Sequence, residues 1–359
     1  MTTGRIAIAA ATDAGYLPAA CCQLASTAAH LPQPDAAELF LVLCDVTDAD
    51  VDEARRFFHR RAMNVAILVQ KDADRFIRPV GNRWPRAAYL RLYFDSIFAA
   101  DFSRLIYFDS DTRVCTALAP LIQSDLRGRP IGAVHDFIYY LTGNIRRRRR
   151  DLFLPDDAPY LQSGVMVFDW PATLADRVLQ RARTFLSKYP ERCMEAPDQD
   201  AINAAIHDRW TPLDPRWNLH ETYLMFGGRH RPFVEHYTST KPWSKRRPAA
   251  WRDAAAWYRR ELADTAWSRF IAPQTRRDRV QAALAFLRFR WAPKLRDLLA
   301  EHAPMVLDLA GKPRVRSDDE ELPWAPRSRA DVEMMTEALI EEAAGARPLV
   351  RPPEAILGR

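Results

Sequence analysis

The sequence predicts an α/β protein: a mostly parallel sheet flanked by helices, followed by a helical annex. Three observations carry this reading. Short β-branched or apolar runs alternate with helical patterns through the first 240 residues. Several of those runs, such as Leu39-Phe40-Leu41-Val42-Leu43, are apolar on both faces, as strands covered by helices on each side must be. Beyond about residue 245 the strand pattern stops and helical spacing replaces it.

In chain order, strands are expected over Arg5–Ala10, Leu39–Cys44, Asn64–Val69, Arg104–Asp109, Ile131–His135 and Gly164–Phe168. Helices are expected over Leu17–His30, Asp48–Ala62 and Arg86–Ala99. Ligands of such sheets sit beyond the carboxyl ends of the strands, which directs attention to Thr12, Asp13, Asp45, Asp109, Asp111, His135 and Asp136. A five-arginine run, Arg146–Arg150, falls in a loop, as a solvated face or a contact for an anionic acceptor. In the annex, Trp251, Ala255, Tyr258 and Leu262 recur at helical spacing, as do Val280, Leu284, Leu287, Trp291, Leu295 and Leu298. Residues 311–330, with an acidic run and three prolines, read as a linker. A last helix is expected over Ala330–Ala344, from the cap-like Ser328-x-x-Asp331 to Gly345. The expected organisation is a catalytic domain over 1–245, a basic annex over 246–310, and a linker with terminal helix over 311–359.

Composition excludes several classes. With 48% hydrophobic and 27% charged residues, the chain is neither disordered nor fibrous. No run of uncharged apolar residues is long enough to span a bilayer, and the apolar run Ile6–Thr12 stops at Asp13, short of a signal peptide. A cytoplasmic protein is expected. Its five cysteines include no C-x-x-C pair, which predicts buried, reduced thiols rather than disulfides or zinc. The net charge of +6 arises in residues 241–300, where 15 basic side chains face 5 acidic ones. The charge balance over the first 240 residues argues against a nucleic-acid partner.

The sharpest chemical signal is Tyr107-Phe108-Asp109-Ser110-Asp111, an apolar strand ending in two carboxylates two residues apart. Period-two geometry aims both to one side, where they repel unless a cation such as Mg²⁺ or Mn²⁺ sits between them. A solvated strand-to-loop turn is the plainer alternative. Asp109-x-Asp111-Thr112 also resembles the nucleophile motif of haloacid-dehalogenase-type phosphatases, although those enzymes usually carry it in their first strand.

Further motifs, in order, resemble glycosyltransferase family 8, the retaining enzymes that include bacterial lipopolysaccharide galactosyl- and glucosyltransferases and glycogenin. They are Ala11-Thr12-Asp13-Ala14-Gly15-Tyr16, Tyr89-x-Arg91-Leu92, the Asp109/Asp111 pair, Tyr160-Leu161-Gln162-Ser163-Gly164-Val165, Asp198-Gln199-Asp200, and His236 through Lys241-Pro242-Trp243. The resemblance implies a GT-A-type, Rossmann-like fold and a UDP-sugar donor, UDP-glucose or UDP-galactose. It places the donor at Thr12, Asp13, Tyr16, Arg91, Ser110, Asp136, Gln162 and Lys241, and Mn²⁺ (or Mg²⁺) at Asp109, Asp111 and His236. Gln199 and Asp198 become the catalytic residues, with front-face attack because glutamine is a poor nucleophile. The residues agree with these roles. Tyr16 can stack on a base and Asp13 can accept from uracil N3–H, or the two can form a helix cap with a core tyrosine. His236 shifts the metal preference toward Mn²⁺, Lys241 can neutralise a phosphate, and Trp243 can wall the site.

Gln162 stands where the family usually has Asn, Gly15 where Asn is common, Ser239 where Gly is usual, and the His-to-Lys spacing is one residue short. Those departures leave room for a catalytically silent sugar-nucleotide-binding protein. Trp210–Asn218 resembles the family's acceptor-side wall, and the expected acceptor is a glycan or a lipid-linked glycan. The basic, aromatic-rich segment 241–300 suits an anionic membrane surface, or its rings pack against the sheet domain. The expected setting is cytoplasmic, peripheral to the inner face of the membrane if the annex engages it.

Overall fold

The computed structural model describes residues 4–81, 84–136, 145–220, 223, 228–287 and 329–345. The strands are β1 (Arg5–Thr12), β2 (Glu38–Leu43), β3 (Val65–Val69), β4 (Phe102–Phe108), β5 (Thr112–Val114), β6 (Ile131–His135), β7 (Leu161–Asp169), β8 (Trp210–Pro212), β9 (Leu219–His220) and β10 (Val234–His236). Seven of them form one sheet in the order β3-β2-β1-β4-β7-β6-β8, and β5-β10-β9 form a second, small sheet. In the large sheet β7 is antiparallel to both its neighbours and every other pairing is parallel. The mostly parallel α/β architecture expected from the sequence is the one observed.

Alternation along β1 shows how the sequence builds two layers. Ala7, Ala9 and Ala11 join one core cluster with Tyr89, Leu90, Leu92 and Phe94, while Ala10 joins another with Leu17, Cys21 and Leu24. The longer helices are α1 (Leu17–Ala28), α2 (Asp48–Arg60), α3 (Ile145–Asp151), α4 (Val178–Lys188), α5 (Pro197–Ile206), α6 (Arg252–Glu261) and α7 (Arg329–Ala343). α2 begins in a capping box in which Thr47 Oγ1 accepts from Asp50 N and Asp50 Oδ2 accepts from Thr47 N. The first cluster also contains α4 and α5; the second contains α1, α2 and α6.

Two expectations are corrected, and one open alternative is decided. Residues Arg86–Tyr93 wind as a 3₁₀ helix, followed by one α turn at Phe94–Ile97. Ala87, Tyr89, Leu90, Arg91 and Leu92 are buried around the whole circumference, so packing rather than an amphipathic stripe sets the winding. The arginine run lies on a helix, α3, and not in a loop. Arg148 and Arg149 point inward: Arg148 pairs with Asp200 at 3.3 Å, and Arg149 donates to the carbonyls of Ala158 and Asp156. In the annex, Trp251 and Tyr258 are buried in the α1/α2 layer, with Trp243, Trp257, Trp267 and Phe270 packed against it. Those rings serve the core rather than a lipid interface.

Residues 276–287 are helical, as expected, but Val280, Leu284 and Leu287 are exposed. Trp291, Leu295, Leu298 and the expected linker up to Ser328 lie outside the described residues. The terminal helix buries Val332, Met335 and Leu339 and ends before Gly345, whose φ of 84° is the left-handed conformation of a C-terminal cap. All five cysteines are free and four are buried. No helix among the described residues is long and apolar enough to cross a membrane.

Candidate active site

The thirteen residues that the resemblance assigns to donor, metal and catalysis line one cleft of about 530 Å³, whereas Asp45, His135 and Trp243 do not. It opens beyond the carboxyl ends of β1 and β4, where β7 begins and α5 starts. Trp84, Ser163, Glu195, Thr238 and Ser239 complete the walls.

β4 ends at Phe108, so Asp109 and Asp111 fall just past its last pairing. Asp109 N donates to Gly164 O at 2.7 Å. Its Oδ1 accepts from Tyr107 Oη at 2.7 Å and from Arg91 Nη2 at 2.6 Å, leaving Oδ2 toward His236. His236 arrives from the small sheet: β10 is antiparallel to β5, Thr112 is opposite His236, and Tyr237 N donates to Asp111 O. His236 Nε2 thereby stands 3.6 Å from Asp109 Oδ2 and 3.3 Å from Asp111 Oδ1. One ligand atom from each of the three lies within 4.8 Å of the others, a geometry that a divalent cation can bridge.

Gly164 in β7 makes room for this cluster. A Cβ there would lie 2.4 Å from His236 Cε1 and 2.8 Å from Asp109 Oδ2.

Two cations of the chain itself balance the carboxylates. Lys241 Nζ donates to Asp111 Oδ2 and to the Tyr237 and Thr238 carbonyls. Burial acts to raise the Asp111 carboxyl, but Lys241 and His236 overcome it and hold that carboxyl well below the ordinary range. Arg91 is buried, stacks on Tyr107, bridges Asp109 and Asp198 (3.2 Å), and donates to Ser163 O at 3.0 Å. The family resemblance places Arg91 at the donor; its hydrogen bonds here are to the protein, as a bracket between β4, β7 and α5. Asp198 is pushed up by burial against the pull of Arg91.

Gln199, in the first turn of α5, is held at both ends of its amide. Oε1 accepts from Ser163 N at 3.0 Å, and Nε2 donates to Asp136 Oδ2 at 2.8 Å and Tyr160 Oη at 3.2 Å. Tyr160 in turn donates to Asp200 at 2.6 Å, and Asp200 meets Arg148. At the other end of the cleft, Asp13 Oδ1 accepts from Gly15 N at 2.9 Å and Tyr16 N at 3.4 Å, forming the turn into α1. Tyr16 meets Trp243 edge to face at 5.6 Å, and Thr12 Oγ1 donates to Asp13 O. Ser110 Oγ donates to Ala11 O, tying the end of β4 to β1.

Gln162 Oε1 accepts from Gly164 N at 2.6 Å and from Asn218 Nδ2. Asn218 Oδ1 lies 2.8 Å from His236 Nδ1. Sequence reasoning assigned no role of their own to Asn218, Ser163, Tyr107 and Tyr160. Each acts by touching another site residue, and the signal all four carried was that they lie in segments already singled out.

The family model for glycosyl transferase family 8 matches residues 7–247. General stress protein A of Bacillus subtilis (strain 168) is 27% identical over 201 residues, spanning 51% of this chain and 67% of that protein. Glycosyltransferase GlyF of Streptococcus pneumoniae serotype 4 is 27% identical over 167 residues, spanning 44% of this chain and 38% of that protein. Among solved structures, galactosyltransferase LgtC in complex with donor and acceptor sugar analogs superposes with a TM-score of 0.58 at 19% identity, covering 76% of this chain and 98% of that one. With more than half of its length matched by that model, and with the fold of LgtC, the chain belongs to glycosyl transferase family 8.

Proposed function

We propose that this chain is a metal-dependent retaining hexosyltransferase that moves glucose or galactose from a UDP-sugar to a hydroxyl of a glycan or lipid-linked acceptor. The observation that carries the reading is the Asp109–Asp111–His236 cluster within the same cleft as Lys241 and Gln199. Two hard carboxylates and one imidazole fit Mn²⁺, with Mg²⁺ second. Such an ion supplies charge neutralisation at the diphosphate that departs.

In this reading Asp13 and Tyr16 receive the uracil, Thr12, Ser110 and Lys241 lie along the ribose and diphosphate, and Asp136, Asp198 and Gln162 hold sugar hydroxyls. The Arg91 bracket keeps Asp109 and Asp198 in place. The acceptor oxygen attacks the anomeric carbon on the face from which UDP leaves, and its proton passes to the departing phosphate oxygen. Gln199, anchored by Ser163, Asp136 and Tyr160, presents its amide oxygen to the charge developing at that carbon. The family match ending at residue 247 supports a catalytic unit over 1–245, with the annex appended. Family membership leaves the dehalogenase-type phosphatase reading without support.

The annex remains a candidate for an anionic membrane surface at the cytoplasmic face, on a different footing from its rings. Val280, Leu284 and Leu287, 58%, 59% and 47% exposed, share a helix with Arg276, Arg277 and Arg279.

The test is Mn²⁺-dependent release of UDP from UDP-glucose and UDP-galactose in the presence of an acceptor. Asp109→Ala and Asp111→Ala are expected to abolish it, and Asp109→Ala also to lower the Tm measured without ligand, because buried Arg91 and Tyr107 lose an acceptor. Binding of UDP-sugar with no turnover on any acceptor would favour the silent binding protein, and full activity in either variant would remove the metal reading.

A further inference from the structure

We infer that Asn218 and Gln162 act as positioning residues that fix the tautomer of His236, and so determine how strongly the Asp109–Asp111–His236 cluster binds a divalent cation. The inference rests on the metal-dependent reading above.

The hydrogen bonds have one consistent polarity. A backbone N–H can only donate, and Gly164 N points at Gln162 Oε1 at 2.6 Å, which identifies the oxygen end of the Gln162 amide. That same oxygen faces the Asn218 amide, so the end of Asn218 turned to it is the NH₂. The opposite end of Asn218, its carbonyl oxygen, is then the atom 2.8 Å from His236 Nδ1, and Nδ1 must carry the hydrogen. When a cation takes the place of any proton on Nε2, an imidazole with hydrogen on Nδ1 presents its Nε2 lone pair to that cation. Nε2 is the nitrogen turned to Asp109 Oδ2 and Asp111 Oδ1. The orientation of a ligating imidazole is commonly set by the partner of its other nitrogen, and such partners govern metal affinity by about 10–100-fold.

The chain of contacts is also placed rigidly. Asn218 and His236 are buried, and Asn218 closes the 3₁₀ turn Pro215–Asn218. Gln162 sits at the start of β7, two residues before the glycine that makes room for His236. Its length matters: Asn at this position would retract the amide by about 1.5 Å, the length of one C–C bond, and could not serve both Gly164 N and Asn218.

The experiment is calorimetric titration of Mn²⁺ into the full chain with UDP present, combined with ¹⁵N NMR of the His236 ring without added metal. Asn218→Ala and Gln162→Asn are expected to weaken Mn²⁺ binding about 10–100-fold. Gln162→Glu, whose carboxylate accepts from both partners, is expected to stay within a few fold of wild type. At a pH high enough to keep it neutral, the ring should show the Nδ1–H tautomer in wild type and Gln162→Glu, and lose it in Asn218→Ala. Melting curves identify any variant that fails to fold; if Asn218→Ala does, Gln162→Asn and the wild-type spectrum still decide. Wild-type affinity in Asn218→Ala and Gln162→Asn alongside loss in His236→Ala would overturn the inference alone, as would an Nε2–H tautomer in wild type. Wild-type Mn²⁺ binding in His236→Ala and Asp111→Ala would instead remove the metal reading, and the inference with it.

Discussion

Lys241 and Asp111 form an ion pair at the floor of the cleft, and Asp111 meets Lys241 through Oδ2 and His236 through Oδ1. A divalent cation bound through Oδ1 therefore shares its carboxylate with an ammonium group. Two positive charges on one carboxylate oppose each other, whereas a diphosphate attracts both. Lys241→Met is expected to tighten Mn²⁺ binding in the absence of nucleotide and to weaken UDP binding in its presence. Opposite changes in two titrations of one variant are the signature; parallel changes would mean that Lys241 does not couple the two ligands.

Gly164 offers a steric test of the same cluster. With a Cβ only 2.4 Å from His236 Cε1, Gly164→Ala must displace either β7 or the imidazole. Mn²⁺ affinity is expected to fall about tenfold or more, on the scale of losing one properly placed ligand. An unchanged titration would show that the cluster tolerates a shift of that size.

Gln199→Ala separates chemistry from binding. Its amide contacts Ser163, Asp136 and Tyr160 rather than the Asp109–Asp111–His236 cluster, so UDP and Mn²⁺ affinities should stay within a few fold. Transfer should slow by about 10²–10³-fold, the usual effect of removing one group that stabilises developing charge. NMR of the product should show retained anomeric configuration in wild type; inversion would rule out front-face attack.

Asp200 predicts a pH effect on stability. Burial pushes its carboxyl up to about 7 from 3.8, against the opposing pull of Arg148 and the Tyr160 hydroxyl. Between those two values the folded chain holds a proton that the unfolded chain has released, so this group's contribution to stability declines as pH rises through the window. Wild-type Tm minus that of Asp200→Asn should therefore decrease from pH ~5 to pH ~7. A difference that is flat or rises across this range would contradict the raised value.

The exposed stripe on residues 276–287 predicts the behaviour of the annex on lipid. Full-length protein should co-sediment with vesicles containing anionic lipid but not with zwitterionic ones, and ~0.5 M salt should weaken the association. Leu284→Glu should reduce it with little change in Tm, since Leu284 is 59% exposed. Equal sedimentation of wild type and variant would leave the stripe without a role at membranes.

The layered α/β fold and the position of the carboxylates at a strand end are legible in the sequence alone. Both rest on local pattern: β1, β2 and β4 are apolar runs whose two faces meet separate helix layers, and Asp109 and Asp111 directly follow such a run. Motifs in chain order added residues that line a single cleft. How those residues are held depends on contacts between segments far apart in the chain. His236 is placed by pairing of the three-residue strands β5 and β10, too short for any periodic signal, and Asn218 reaches its ring from a separate 3₁₀ turn. The arginine run reads as a solvated face until Asp200 and the carbonyls of Ala158 and Asp156 are seen to receive Arg148 and Arg149. Likewise, Trp251 and Tyr258 suit either a core or a lipid interface until α1 and α2 are found against them. In each case the deciding partner is distant in the chain, and whether a charge or ring is buried depends on that partner more than on its own neighbours in sequence.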